Sequence, residues 1–165
     1  MKDARLIFGE NVLPLKAPVD SAGTAWATQF VPVKNYLHAT FYAYFGVITA
    51  TSADQSVIVT MEAATAAASG SEVAIAFRYR LSGATGTNTW GAVTAATASG
   101  ATVATTDDGK MLAIDIDPAA LDGLLADASH VRMVVGIDAG GTVTLNAAWA
   151  TLEPRYPQVT HLAAC

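Results

Sequence analysis

The chain has 165 residues, 52% of them hydrophobic and only 14% charged, with a net charge of −5, against roughly 25% charged in an ordinary soluble domain. Nine Lys and Arg residues that never cluster argue against nucleic-acid binding, which needs a basic footprint. No apolar run approaches membrane-spanning length, and the single cysteine, Cys165, excludes an internal disulfide framework and fits synthesis in a reducing cytoplasm.

The length fits one domain with a respectable core. The apolar excess is largely alanine, so the surface is poor in charge, a composition that favours partial cover by a partner or sister subunits. Met1-Lys2-Asp3-Ala4-Arg5 precedes too short an apolar stretch for a secretory signal.

Residues 1–30 differ from the rest. Leu6-Ile7-Phe8-Gly9 and Val12-Leu13-Pro14-Leu15 are short apolar pieces broken by Gly9, Pro14 and Pro18. Proline excludes a central strand, so this region reads as an extended N-terminal arm or as edge strands. An apolar arm gains stability by lying on a neighbour, which makes Leu6, Ile7, Phe8 and Leu13 candidate contacts with a partner.

The main β domain is expected over residues 31–157, with a tail over 158–165. Residues 36–46 are the most aromatic stretch. Leu37, Ala39, Phe41, Ala43 and Phe45 share one face of an extended chain, and Tyr36, His38, Thr40, Tyr42 and Tyr44 the other. The first set suits a core; the second is a stripe of the kind enriched at interfaces, although a tyrosine face covered by its own loops has the same pattern. His38 has no neighbour at metal-ligand spacing. Val57, Val59, Met61 and Ala63 mark another strand, followed by an Ala/Thr/Ser loop.

Val73, Ile75, Phe77 and Tyr79 alternate with Glu72, Ala74, Ala76, Arg78 and Arg80, which predicts one continuous two-sided strand. Arg78 and Arg80 point the same way. They fit a solvated face better than a grip on a carboxylate-bearing neighbour, which their shared direction also allows. The Gly/Ser/Thr loop ending at Trp90 lacks the residues of a phosphate loop. Weak strands are expected within 91–106, and Asp107-Asp108-Gly109 signals a tight turn.

Residues 110–155 organise the chain. Leu112, Ile114 and Ile116 alternate with Ala113, Asp115 and Asp117, then Val131, Met133, Val135 and Ile137 repeat the period. Val143, Leu145, Ala147 and Trp149 do so again. Three successive sheet strands are expected, joined by one helical turn and a Gly-rich hairpin over 138–142. Asp117-Pro118-Ala119-Ala120-Leu121 reads as an N-cap with proline at the first helical position. That reading fits better than a calcium loop, since the required acid spacing and closing Glu are missing.

Eight or nine strands, one short helical turn and no βαβ alternation predict an all-β fold, an antiparallel β-sandwich or jelly-roll-like barrel. An enzyme needs an acid or base, an oriented nucleophile or a metal. The histidines are scattered and no serine lies in a nucleophile elbow, so no catalytic, cofactor or metal residue is assigned.

One further pattern carries information. Val33-Lys34-Asn35-Tyr36 leading into the aromatic strand, Ile75 to Gly83, the Gly/Thr loop with Trp90, Asp108 to Pro118, His130 to Val135 and the closing Pro154-Arg155-Tyr156-Pro157 together resemble capsid decoration (cement) proteins of tailed bacteriophages. Roughly residues 31 to 157 carry the resemblance; the N-terminal piece carries none. It implies a non-enzymatic virion protein, bound to the outer surface of the major capsid shell and stabilising the head. A homo-oligomer follows, a trimer near a symmetry axis being favoured, with no nucleic-acid or membrane partner and synthesis in the host cytoplasm. On that reading Tyr42, Tyr44, Arg78 and Arg80 form a second contact surface. A tail-tube or head–tail joining subunit is one rival. A carbohydrate-binding β-sandwich stacking sugars on Trp26, Trp90 or the tyrosines is another.

Overall fold

The computed structural model describes residues 11–21, 23–49, 57–68, 70–137 and 141–155. Its strands are β1 (Asn11–Val19), β2 (Trp26–Ala27), β3 (Val31–Pro32), β4 (Tyr36–Tyr44), β5 (Ile48–Thr49), β6 (Val57–Ala64) and β7 (Val73–Ile75). They continue as β8 (Phe77–Leu81), β9 (Thr94–Ala96), β10 (Ala101–Val103), β11 (Met111–Ile116), β12 (His130–Ile137), β13 (Thr142–Val143) and β14 (Asn146–Pro154). A 3-10 turn, Thr105–Asp107, precedes β11, and a single helical turn, α1 (Pro118–Leu121), follows it.

The fold is an all-β sandwich. One sheet has the order β1-β14-β4-β11-β8-β9; the second runs β10-β6-β12-β2, with β3 also on β12 and β7 on β6. All pairings are antiparallel, including a small β13-β5 ribbon. The alternating residues explain why the two sheets meet. Ala39, Phe41 and Ala43 of β4, Leu112, Ile114 and Ile116 of β11, Val57, Val59 and Met61 of β6, and Val131, Met133 and Val135 of β12 are buried in one continuous core. Large side chains sit beside small ones. Phe41 lies between Ala150 and Ile114, and Ala43 between Ala148 and Leu112, the alternation of sizes that close packing of an interior calls for.

Four expectations are corrected. The strand expected over 72–80 is two strands. It breaks at Ala76, with β7 pairing β6 in the second sheet and β8 pairing β11 in the first. Ile75 and Phe77 both enter the core while Ala76 is exposed, so the chain turns a corner between sheets at a small, exposed residue.

The strands of 110–155 are not sheet neighbours. β11 and β14 belong to the first sheet and β12 to the second, with α1 carrying the chain across. Asp117 caps α1 by accepting from the Ala119 amide, with Pro118 at the start of the turn. The Gly-rich piece is no hairpin between the strands that flank it, because β13 pairs β5; residues 138–140 lie outside the described part.

The face expected to hold Val143, Leu145, Ala147 and Trp149 is reversed beyond Val143. Leu145 has φ +48° and a 55% exposed side chain, and this left-handed residue interrupts the alternation. Asn146, Ala148, Ala150 and Leu152 are buried in its place, which turns Trp149 outward. A one-residue slip exchanges the two faces of a strand.

Leu37, expected in the core, is 44% exposed, because β4 starts against an irregularity between Glu153 and Pro154 of β14.

At the N-terminal side, Asn11–Val19 forms the edge strand of the first sheet on β14, with register shifts after Pro14 and after Lys16. Proline and bulges are at home on such an edge.

Candidate functional site

The outer face of the first sheet, β1-β14-β4-β11-β8-β9, brings together the polar half of each alternating strand. Its cross-strand rows follow from the register. Trp149 of β14 is opposite Tyr42 of β4, which is opposite Ala113 of β11, which is opposite Arg80 of β8. The next row runs Thr151, Thr40, Asp115, Arg78. A third places Tyr44 between Ala147 and Met111.

Tyr42 and Trp149 stack, ring centres 5.4 Å apart and planes 13° from parallel. They form an aromatic ridge along one side of the face. Arg78 and Arg80 are exposed and form a second ridge two strands away. On the β8 side of this face, over Ala113 and Thr40, lies an open groove of about 350 Å³ lined by Thr40, Arg78, Tyr79, Arg80, Val93, Ala113 and Asp115.

Asp115 stands directly across from Arg78. Its carboxylate nevertheless lies 3.6 Å from His38 Nδ1 on β4, the opposite side of β11 from β8. Among the described residues neither Arg78 nor Arg80 has a carboxylate within ion-pair distance.

The outer face of the second sheet is different. Arg132 of β12 donates from Nε to Glu62 (2.6 Å) and from Nη2 to Glu72 (2.9 Å), and its guanidinium lies 4.5 Å from the centre of the Phe30 ring. Both carboxylates and the ring satisfy this cation. The amide of Gly70, together with the Glu72 amide and the Arg132 charge, holds the Glu72 carboxyl below its ordinary value of 4.5. Lys110 is likewise paired, with Asp107 at 2.7 Å. The free arginines of the first sheet are therefore set apart from these neutralised cations.

The structure brings Tyr42, Arg78 and Arg80 to one face, with Tyr44 at its end. Leu13 is half-buried against the protein's own core, while its neighbour Val12 is 52% exposed and pairs Thr151 on the outer face. Leu6, Ile7 and Phe8 lie outside the described residues. Of the tryptophans considered for sugar stacking, Trp90 is 40% exposed. Trp26 is half-buried beneath Lys16 Nζ, 5.4 Å from its centre.

Sequence reasoning missed Trp149, because one left-handed residue shifted its face. The signal was present in the other frame, where Ala150 supplies the small partner that Phe41 needs and Ala148 pairs with Ala43. It also missed the partner of His130, whose Nδ1 lies 2.7 Å from Ser129 Oγ, and the pairing of His38 with Asp115.

Among the described residues no three His, Cys, Asp or Glu side chains come together in a way that would hold a metal ion, and no helix is long and apolar enough to cross a membrane. The sheet face offers the Tyr42–Trp149 stack as a flat aromatic surface, and the groove beside it can accept anions at Arg78 and Arg80.

No protein-family model matches the chain, and no curated protein matches it. A solved structure of the infectious bursal disease virus Gt strain overlaps 93% of this chain at 10% sequence identity and a TM-score of 0.23. The overlap spans 42% of that chain. A superposition this poor carries neither fold nor function across.

Proposed function

We propose that this chain is a non-enzymatic structural protein of a tailed-phage virion that binds the outer surface of the major capsid shell and stabilises the head. The carrying observation is the open sheet face, which carries the Tyr42–Trp149 stack and, beside a groove two strands away from Tyr42, two arginines unpaired among the described residues. Aromatic residues and arginine are the side chains enriched at protein interfaces. The low charge of the chain and the sequence resemblance to decoration proteins support the same reading. A symmetric lattice adds avidity, so each copy needs only a modest contact, and a trimer at a symmetry axis multiplies it.

Cryo-electron microscopy of particles from the source tests this. Copies repeated over the outer shell, with the groove face against capsid protein, are expected. Density confined to the tail or neck would replace the reading with a tail-tube or head–tail joining role, and absence from the particle would refute both.

The flat Tyr42–Trp149 pair favours one alternative, a carbohydrate-binding module. Sugar rings stacked on Trp149 would change its fluorescence on titration, and the change would vanish in Trp149→Phe only if this ring is the platform.

A further inference from the structure

We propose that the groove floored by Ala113 receives an extended acidic segment of a protein partner, with carboxylates at alternate positions gripped by Arg78 and Arg80. This deepens the docking reading and rests on it for the partner's place in the virion; the recognition chemistry stands on the geometry below.

Arg78 and Arg80 are two residues apart on β8 and face the same side, which separates their backbone origins by about 6.8 Å. An extended segment laid along the groove repeats its side chains on one face at the same interval. Acidic residues at positions i and i+2 therefore match the two guanidinium groups one to one, whereas adjacent acidic residues do not. Each guanidinium presents the planar fork that takes a carboxylate through two hydrogen bonds.

The groove is left open for that guest. Asp115 is the cross-strand neighbour of Arg78, but its carboxylate is not within ion-pair distance of Arg78 and lies instead 3.6 Å from His38 Nδ1 across β11. Ala113 sits in the row between Tyr42 and Arg80, and a larger residue there would fill the channel. Tyr42, the cross-strand neighbour of Ala113, offers an apolar surface beside the groove for the segment's side-chain stems. Net charge does not create this attraction, because the chain carries −5 overall; the positive potential is local to the arginine ridge.

The test is an NMR titration of the isotope-labelled full chain with three capped alanine-based pentapeptides. One carries glutamates at its second and fourth positions, one carries adjacent glutamates, and one carries glutamines in place of the alternate glutamates. Saturable shifts at Ala113, Arg78 and Arg80 are expected with the alternate-glutamate peptide, and weaker binding with the other two. Arg78→Gln and Arg80→Gln, both at exposed positions, should each weaken binding about tenfold, the scale of one charged hydrogen-bonding interaction. Asp115→Asn should strengthen it by removing the nearby negative charge. Lys34→Gln removes an equal charge at an exposed position elsewhere and should leave it unchanged.

Equal binding of the glutamine peptide overturns the proposal. So does insensitivity to both arginine substitutions, or a Lys34→Gln loss as large as theirs. Saturable binding of a neutral oligosaccharide at this groove that survives loss of both arginines, with no peptide binding, overturns it in favour of a glycan. The two readings fail separately. Peptide binding by a chain absent from virions would refute docking on the capsid and keep the acidic-segment groove. Capsid association unaffected by the arginine substitutions would do the reverse.

Discussion

Gly46→Ala is expected to destabilise the protein by about 3 kcal/mol, although replacing glycine by alanine at an ordinary backbone conformation usually stabilises by about 0.4–1 kcal/mol. Gly46 is not among the glycines with positive φ, so dihedral strain plays no part. The obstacle is contact. A Cβ on Gly46 would penetrate the carbonyl oxygen of Thr144 and stand 3.1 Å from its carbon and 3.2 Å from the Leu145 oxygen. These are backbone atoms and cannot rotate away. Relief requires moving the 46–47 and 144–145 segments apart, which breaks two bonds between them. The Thr144 amide donates to the Val47 carbonyl at 2.9 Å, and the Val47 amide donates to Thr144 Oγ1 at 3.1 Å. At about 1 kcal/mol each, with about 1 kcal/mol or more for the overpacking itself, the total approaches 3 kcal/mol. For a chain of this size the melting temperature should fall by about 6–12 °C. Gly136→Ala in β12 is the matched control. Its Cβ would meet the Ile58 oxygen at an ordinary 3.6 Å, and it should be neutral or stabilising. Urea denaturation followed by circular dichroism reads both. A Gly46→Ala protein as stable as the parent would show that the close approach of these two loops is not a feature of the native state.

Three further outcomes follow from named contacts. The folded protein depresses the Glu72 carboxyl below 4.5, so its contribution to stability is present above the unfolded value and is lost as pH falls through the folded one. Glu72→Gln should therefore flatten the acid limb of the stability–pH curve, and an unchanged slope would contradict the Gly70–Glu72–Arg132 arrangement. A double-mutant cycle on Tyr42→Ala and Trp149→Ala should give a stabilising coupling of about 0.5–1.5 kcal/mol; additivity in denaturation would refute the stack. Asp117→Ala removes the cap of α1 and should cost about 1 kcal/mol, measured by the same method against Asp122→Ala at the far end of the turn, expected to cost less.

The open face was partly legible before the fold was known. Alternation placed Tyr42 and Tyr44 on one side of β4 and Arg78 and Arg80 on one side of β8, since a strand's period of two is a local property of its backbone. That these strands lie on either side of β11, and that Asp115 turns toward His38, depends on residues far apart in the chain. So does the role of Ala113, whose small size matters only between Tyr42 and Arg80. Trp149 shows the limit most clearly. Its alternation with Val143 was read correctly as a pattern, yet the left-handed Leu145 between them exchanged the faces.

What the amino-acid order determined alone was the class of fold and most of its inward side chains. The burial of Phe41, Leu112, Ile114, Val59 and Met133 follows from short apolar–polar periods, and the caps and turns at Asp117 and Gly109 from local backbone chemistry. Sheet membership was decided only in three dimensions. Ile75 and Phe77 have the same alternating environment in either sheet, and the step between sheets at Ala76 is selected by which neighbouring strands have free edges and complementary volume. Pairing energy depends on partners distant in sequence, and a periodic strand does not by itself name its partner.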